Sequence, residues 1–199
     1  MTTLETTPLD VFQPFPKMAR LSRGCVVTEK IDGTNAQVIV CEDGRVLAAS
    51  RTRMITPEDD NYGFARWVAE HEAELRDGLG VGRHYGEWWG CGIQRRYGLQ
   101  EKRFSLFNTG RWIDAHDPQY QCGVTIAPDC CHVVPVLWQG IFDMSEIFAA
   151  LADLAACGSH AAPGFMRPEG IVIYHAASRM YFKKTLEKDD EPKSLSKGN

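Results

Sequence analysis

Short strand-like runs separated by glycine and polar turns recur throughout this chain, and they constrain its fold more than any other feature. The runs cover residues 25–28, 37–40, 46–49, 84–89, 103–107, 133–136, 170–174 and 180–183. Helical spacing of apolar residues appears at 64–75 and at 145–156, the second with Ser145 as predicted N-cap and Gly158 as its stop. Because strands outnumber helices and short links join them, the pattern predicts an antiparallel-sheet-rich α+β fold. A chain of 199 residues buries one sizeable core, so we expect a single domain over 1–199 with a polar tail from about residue 186.

Residues 30–35, KIDGTN, place a lysine and a carboxylate one residue apart, just before a glycine. A lysine amine has an ordinary pKa of about 10.4, and it is a nucleophile at neutral pH only where burial or nearby cations lower that value. Apolar residues precede Lys30 and an apolar run follows at 36–40, which indicates a strand end in or beside a pocket. The alternative is a surface hairpin in which Asp32 and Gly33 form the turn and Lys30 is solvated.

The 30–35 segment resembles the first motif of the covalent nucleotidyltransferase superfamily, which contains ATP-dependent RNA and DNA ligases and mRNA capping enzymes. Further segments resemble the later motifs of this superfamily in the same order: 50–52 (SRT), 85–90 (YGEWWG), 104–108 (FSLFN), 169–173 (EGIVI) and 181–184 (YFKK). The resemblance is closest to the stand-alone RNA ligase branch, especially over 86–95 and 133–140. DNA ligases and capping enzymes usually carry an OB domain after the lysine motif, and only 185–199 remain here. The expectation is a nucleotidyltransferase (adenylyltransferase, ATP-grasp-like) ligase domain without an OB domain.

The resemblance implies a reaction as well as a fold. Lys30 would attack the α-phosphate of ATP and hold AMP covalently, with Mg²⁺ or Mn²⁺ as the metal. The AMP would pass to the 5′-phosphate of an RNA end, and a 3′-hydroxyl would then close the strand. Lys183 and Lys184 would contact the α-phosphate. Only one of them is expected to face the pocket, because neighbours on a strand point to opposite sides. Relatives usually place these two lysines one residue apart, whereas here they are adjacent, so their register is open and Lys183 is the first choice.

The remaining site residues are also assigned by resemblance. Glu87 and Glu169 supply the hard oxygen ligands that Mg²⁺ prefers, and Glu87 also reaches the ribose. Arg51 and Asn35 would bind phosphate and ribose, and the backbone around Glu29 and Lys30 would read the adenine edge. The adenine needs an apolar stacking face. Phe104 and Phe107 compete for that role, with Phe107 favoured by motif position, while Trp88 and Trp89 are more typical of a core.

The sequence is also compatible with two other functions. The same fold could serve as a nucleotide- or RNA-binding module without sealing activity, or as a capping-type enzyme that transfers GMP. A net charge of −4 argues mildly against a protein that coats nucleic acid, although paired basic residues form local clusters, such as Arg95 with Arg96. The expected partners are ATP and RNA ends, with a possible separate RNA-gripping or end-healing partner.

Cysteine usage and hydropathy suggest the compartment. Seven cysteines without a Cys-x-x-Cys pair indicate free thiols in a reducing environment. A zinc site from Cys122, Cys130, Cys131 and His132 is a minor alternative because adjacent cysteines are an awkward pair of ligands. No secretory signal or transmembrane segment is visible, so we expect no membrane association and a cytoplasmic protein, in the host if viral. The 109–129 segment has little periodicity and is interpreted as a lid or an insertion.

Overall fold

The computed structural model describes residues 11–116, 125–187 and 189. Its helices are α1 (Phe64–Glu70), α2 (Glu72–Leu79) and α3 (Met144–Cys157). Its strands are β1 (Gly24–Lys30), β2 (Thr34–Val40), β3 (Val46–Ser50), β4 (Met54–Ile55), β5 (Gly82–Gly90), β6 (Lys102–Leu106), β7 (Trp112–Ile113), β8 (Thr125–Ile126), β9 (His132–Val133), β10 (Val136–Ile141), β11 (Gly170–His175) and β12 (Met180–Thr185).

These strands form two main sheets. A four-stranded sheet has the order β10-β1-β11-β12, and a six-stranded sheet has the order β4-β3-β2-β5-β6-β9. Pairing within both is antiparallel except between β6 and β9, and β7 and β8 form a small separate parallel pair. The sheet-rich α+β class predicted from the strand pattern is therefore confirmed.

Each main sheet buries one face against helices. Apolar residues of the six-stranded sheet, such as Val38 and Phe104, pack with Phe64 and Leu75 of α1 and α2. On the four-stranded sheet, residues including Val27 and Ile171 pack against α3. Because side chains alternate along a strand, every second residue of β1, β2 and β5 projects to the opposite face. Those opposite faces line a cavity between the sheets.

The helices differ from the sequence prediction in detail. The pattern at 64–75 predicted one helix, but the helix breaks at His71, whose ring Nδ1 lies 2.8 Å from the Trp67 carbonyl, the same group that accepts the His71 N–H. The N-cap of α3 is Asp143 rather than Ser145, because the Asp143 carboxylate accepts the Ser145 N–H at 2.8 Å. Gly158 caps the other end of α3 with φ 83°, as predicted.

Most predicted strands lie inside observed ones, with two corrections. The predicted 103–107 strand ends at Leu106, and the predicted 133–136 strand is divided into β9 and β10 at Val134 and Pro135. Proline lacks the N–H that a continuous ladder would need. The two-residue strands β4, β7 and β8 were not predicted, since two residues carry no measurable alternation.

Part of the 109–129 segment lies outside the described residues, which resume at Thr125. Its described parts contain β7 and β8, so the segment is not entirely loop. Over the described ranges, no helix combines the length and apolar character needed to cross a membrane.

Candidate functional site

The turn that carries the chain from one sheet to the other lies between Lys30, the last residue of β1, and Thr34, the first of β2. Gly33 in this turn packs against β5, and a Cβ there would lie 2.7 Å from Trp89 Cβ. No side chain fits that space, so the glycine is required for the turn to approach β5. Lys30 and Asn35 are thereby held at the junction of the two sheets.

A cavity of about 870 Å³ opens between the sheets at this junction. Alternate residues of several strands line it. They include Val26, Thr28 and Lys30 from β1, Asn35 and Gln37 from β2, Arg83, Tyr85 and Glu87 from β5, and Val172, Tyr174 and Tyr181 from β11 and β12. The 106–112 segment closes another wall. A cavity of this size is within the range of small-molecule sites.

The Lys30 ammonium makes an ion pair with the Glu169 carboxylate. Lys30 ends β1 and Glu169 immediately precedes Gly170, which lies opposite Lys30 in the ladder. The side chains are only 18% and 8% exposed, so water screens the pair weakly. The Glu169 carboxylate is therefore placed to accept a proton from the Lys30 amine, which lines the cavity.

Glu87 lies beside this pair and is tied to the same turn. Its carboxylate accepts the Gly33 N–H and the Asn35 side-chain amide, each at 3.0 Å. Burial raises the pKa of Glu87 from 4.5 to about 7, and the positive charge of Lys30 limits the rise. Glu87 therefore changes charge near neutral pH. With Glu169 it offers oxygen ligands of the type that Mg²⁺ and Mn²⁺ bind.

The Asp32 position in the turn is fixed from two sides. Arg95 Nε donates to Asp32 Oδ2 at 3.2 Å, and Arg95 Nη1 donates to the Arg167 carbonyl at 3.0 Å. The Asp32 N–H donates to the Tyr97 hydroxyl at 2.8 Å. Burial raises the pKa of Tyr97, which therefore keeps its proton. Arg95 thus joins the turn after Lys30 to the segment before Glu169, a role that sequence reasoning did not assign.

Glu29 turns its side chain away from the cavity. Its carboxylate accepts from the Ser159 hydroxyl at 2.6 Å and from the His160 and Ala161 N–H groups at 2.8 and 2.9 Å. Burial raises the pKa of Glu29, and these donors oppose the rise. The side chain stabilises the segment after α3, and Glu29 is also among the residues that line the cavity. The predicted backbone contact with adenine remains a prediction.

The two lysines of β12 lie on opposite faces of the sheet. Lys183 pairs with Val172, a cavity-lining residue, whereas Lys184 pairs with Ile171, which is buried against α3. Lys184 Nζ contacts Asp189 at 2.9 Å and lies 5.8 Å from the centre of the Phe148 ring of α3. Lys183 is the lysine on the cavity side, and Lys184 is not brought to the cavity.

The aromatic candidates are divided between the cavity and the core. Phe107 lines the cavity and is 37% exposed, whereas Phe104 is fully buried in the core. Trp88 and Trp89 are likewise buried. The preference for Phe107 over Phe104 at the cavity and the interpretation of both tryptophans as core residues agree with this arrangement.

The predicted phosphate-binding residue Arg51 lines the cavity, as does Asn108, to which sequence reasoning gave no role. Sequence reasoning missed other lining residues, among them Gln37, Arg83 and Tyr85, as well as the contact between Tyr174 and Tyr181, whose ring centres are 4.7 Å apart. The period of two from Asn35 and Glu87 along β2 and β5 was the signal that could have found Gln37, Tyr85 and Arg83.

The described residues of the predicted cysteine-based zinc site do not converge on one point. Cys122 lies outside the described residues. Cys131 is fully buried in the core beside the six-stranded sheet, whereas the next residue, His132, contacts Asp114. Adjacent residues of an extended segment point to opposite sides, so Cys131 and His132 do not converge on one ion.

A sequence model of the RNA ligase family matches residues 23–189, which include every candidate residue described above. The chain belongs to the RNA ligase family. This confirms the resemblance drawn from the ordered motifs. A search of curated proteins found no match.

Solved structures of a Naegleria gruberi RNA ligase share the fold of this RNA ligase family member. A lysine variant of that ligase with AMP and manganese superposes with a TM-score of 0.56 at 18% identity, covering 83% of this chain and 50% of the ligase. The ligase with pyrophosphate gives 0.54 at 19% identity, covering 82% and 50%. A second lysine variant with ATP and manganese gives 0.53 at 17% identity, covering 81% and 48%. The chain matches about half the length of that ligase.

Proposed function

We propose that this member of the RNA ligase family joins a 5′-phosphate and a 3′-hydroxyl RNA end in an ATP-dependent reaction, with AMP held covalently on Lys30. The observation that carries the proposal is the Lys30 amine in contact with the Glu169 carboxylate, at a cavity of about 870 Å³ between the two sheets. A nucleophile, a proton acceptor and space for a nucleotide meet there.

In the first step, Lys30 Nζ attacks the α-phosphorus of ATP, an N–P bond forms, and the bond to the β-phosphate oxygen breaks to release pyrophosphate. The amine must first give up its proton, and the contacting Glu169 carboxylate is the acceptor. Catalysis of phosphoryl transfer depends chiefly on position and on neutralised charge. Lys183 on the cavity face and Arg51 at its rim supply positive charge for the phosphates.

A divalent ion would neutralise further phosphate charge when bound with the nucleotide. Glu87 fits that role, and Glu169 fits it once the proton taken from Lys30 has passed to water, because both offer buried carboxylate oxygens beside Lys30. Mg²⁺ needs one or two such carboxylates, with phosphate oxygens and water completing its shell. The manganese in the Naegleria gruberi ligase structures supports use of a divalent ion.

Nucleoside recognition follows from the cavity lining. Phe107 offers its ring for stacking on adenine, while Asn35 and Glu87, which hydrogen-bond to each other, face the ribose. The backbone of Glu29 and Lys30 would read the adenine edge. Glu29, Lys30, Asn35 and Glu87 all lie on strands, which hold these groups in position before the nucleotide binds.

The second and third steps complete the joining. A 5′-phosphate oxygen of RNA attacks the phosphorus of lysyl-AMP, the N–P bond breaks, and Lys30 regains a proton. The 3′-hydroxyl oxygen of the second end then attacks the 5′-phosphate, and AMP leaves as the phosphodiester forms. A separate partner that grips RNA or heals its ends is part of this proposal.

Strand joining with two kinds of substrate tests the proposal. The wild-type chain should seal 5′-phosphorylated RNA only with ATP, and should seal pre-adenylylated RNA without it. The Lys30→Ala variant should fail on the first substrate because it lacks the nucleophile. Sealing of phosphorylated RNA by Lys30→Ala would refute the role of Lys30. Incubation with radiolabelled ATP or GTP tests the two alternatives. Covalent labelling of the chain by GTP alone would indicate a capping-type transferase, and no labelling by either nucleotide would indicate a binding module.

A further inference from the structure

A second group of ligand-type side chains lies outside the nucleotide cavity. Asp114, which follows β7, converges with His116 two residues later and with His132 at the start of β9. A carboxylate oxygen and one nitrogen from each imidazole all lie within 4.8 Å of one another. The two rings are 5.1 Å apart between centres.

The carboxylate of this group is already oriented by the backbone. Asp114 Oδ1 accepts the His116 N–H at 2.9 Å, and Oδ2 accepts the Val133 N–H at 3.0 Å. His132 Nδ1 lies 3.2 Å from the same Oδ2. Backbone hydrogen bonds of this kind fix ligating side chains in metal sites. The hydrogen bond from the Val133 N–H also connects two chain segments that are 19 residues apart.

We propose that Asp114, His116 and His132 bind one zinc ion. Two imidazoles and a carboxylate are a ligand set typical of Zn²⁺, with bonds of about 2.0–2.2 Å. Tetrahedral ligands at that distance are about 3.4 Å apart, so the donors, which now lie within 4.8 Å of one another, would have to move closer to bind the ion. His116 is the exposed member of the group, and its Nε2 would exchange its present contact with the Asp129 carbonyl, at 3.2 Å, for the metal. Three protein ligands leave a fourth position for water or another small ligand.

The surroundings leave room for that fourth position. The three residues line a second cavity of about 340 Å³, together with Arg103 and His160. The Arg103 guanidinium is paired with Glu101, its Nε 2.9 Å from the carboxylate, so the positive charge of this lining residue is balanced. A cation that enters the cavity therefore does not face an unpaired charge on Arg103.

The ion would stiffen one wall of the Lys30 cavity. His132 leads through Val133 to Val134, which lines that cavity and donates its N–H to the Leu106 carbonyl at 3.0 Å. The next carbonyl, of Pro135, accepts the Glu29 N–H at 2.9 Å. Zinc would thus link the turn after β7 to the 132–135 segment, which contacts both sheets. The inference does not depend on the proposed ligase activity.

Metal titration of the chelator-stripped full chain tests the site. We expect one equivalent of Zn²⁺ in competition with a chromophoric chelator, and the intense visible absorption of a four-coordinate ion when Co²⁺ replaces zinc. His116→Ala and His132→Ala should each weaken binding by more than the about 10–100-fold that losing an outer partner costs. His116 is exposed, so its variant should keep its fold, which circular dichroism verifies.

Three control variants locate the ion. His160→Ala removes another histidine of the same cavity, Cys130→Ser removes a nearby thiol, and Glu169→Gln alters the Lys30 site. All three should bind zinc as the wild-type chain does, with the same rise in melting temperature on adding zinc. The proposal is overturned if the wild-type chain binds no stoichiometric zinc. It is equally overturned if both His116→Ala and His132→Ala bind it unchanged, or if a control variant loses it.

Discussion

Val172 and Lys183 lie directly opposite each other on β11 and β12, and Val172 lines the cavity that contains Lys30. Directly opposed residues of an antiparallel pair project to the same face of the sheet. Lys183 therefore projects to the cavity side, and Lys184 projects towards α3. The cross-strand register selects between two adjacent lysines that the sequence motif left unresolved.

This register predicts unequal effects of two matched substitutions. Lys183→Ala should slow formation of the enzyme–AMP adduct by about 100-fold, because it would remove the positive charge that the proposed mechanism assigns to the phosphates. Lys184→Ala should stay within about twofold, because that side chain pairs with Asp189 near the surface. Single-turnover labelling with ATP measures both. A larger loss in Lys184→Ala would reverse the assignment.

Phe107 and Phe104 form a second matched pair. Phe107→Ala should raise the KM for ATP about tenfold through lost stacking and leave the free energy of unfolding nearly unchanged. Phe104→Ala should lower that free energy by about 3–5 kcal/mol, since Phe104 is fully buried. Urea unfolding and adduct kinetics report the two quantities. Equal stability losses would contradict the separation of core and cavity.

The raised pKa of Glu87 predicts that the free energy of unfolding depends on pH. Its pKa is 4.5 ordinarily and about 7 in the fold, so the folded protein holds this proton more tightly than the unfolded chain does. The stabilisation from Glu87 is complete below its unfolded pKa and is lost as the pH rises through the folded one. At about 1.4 kcal/mol per pKa unit, the wild-type chain should lose about 3 kcal/mol relative to Glu87→Gln between pH 4.5 and about pH 8.

Denaturant unfolding across this pH range measures the difference, and Glu42→Gln, at an exposed position, is the control. Parallel stability curves for wild type and Glu87→Gln would show that Glu87 titrates alike in the folded and unfolded chain.

Substitutions of Arg95 and Arg96 test whether Arg95 positions the turn after Lys30. Arg95→Ala removes the hydrogen bond to Asp32 and the one to the Arg167 carbonyl, so we expect about tenfold slower adduct formation with KM for ATP nearly unchanged. Arg96 is exposed, and Arg96→Ala should have no such effect. Partial recovery in Arg95→Lys, which keeps one donor to Asp32, would support positioning. A change confined to KM would instead indicate nucleotide contact.

The sequence predicted the sheet-rich class, most strands and the cavity location of Lys30, Glu87 and Phe107, because these depend on local alternation and on ordered motifs. It did not predict the Arg95–Asp32 contact, which spans 63 residues, or the Tyr97 bond to the Asp32 backbone, which spans 65. Those contacts follow from how the segment after β5 packs behind the turn. The choice between Lys183 and Lys184 likewise required the register against β11.

The most direct test of a covalent AMP on Lys30 is the intact mass of the chain after incubation with ATP and a divalent ion, followed by peptide mapping. We predict a gain of one AMP, located on Lys30 and absent from Lys30→Ala. No gain with the wild-type chain, or an adduct on another residue, would contradict it.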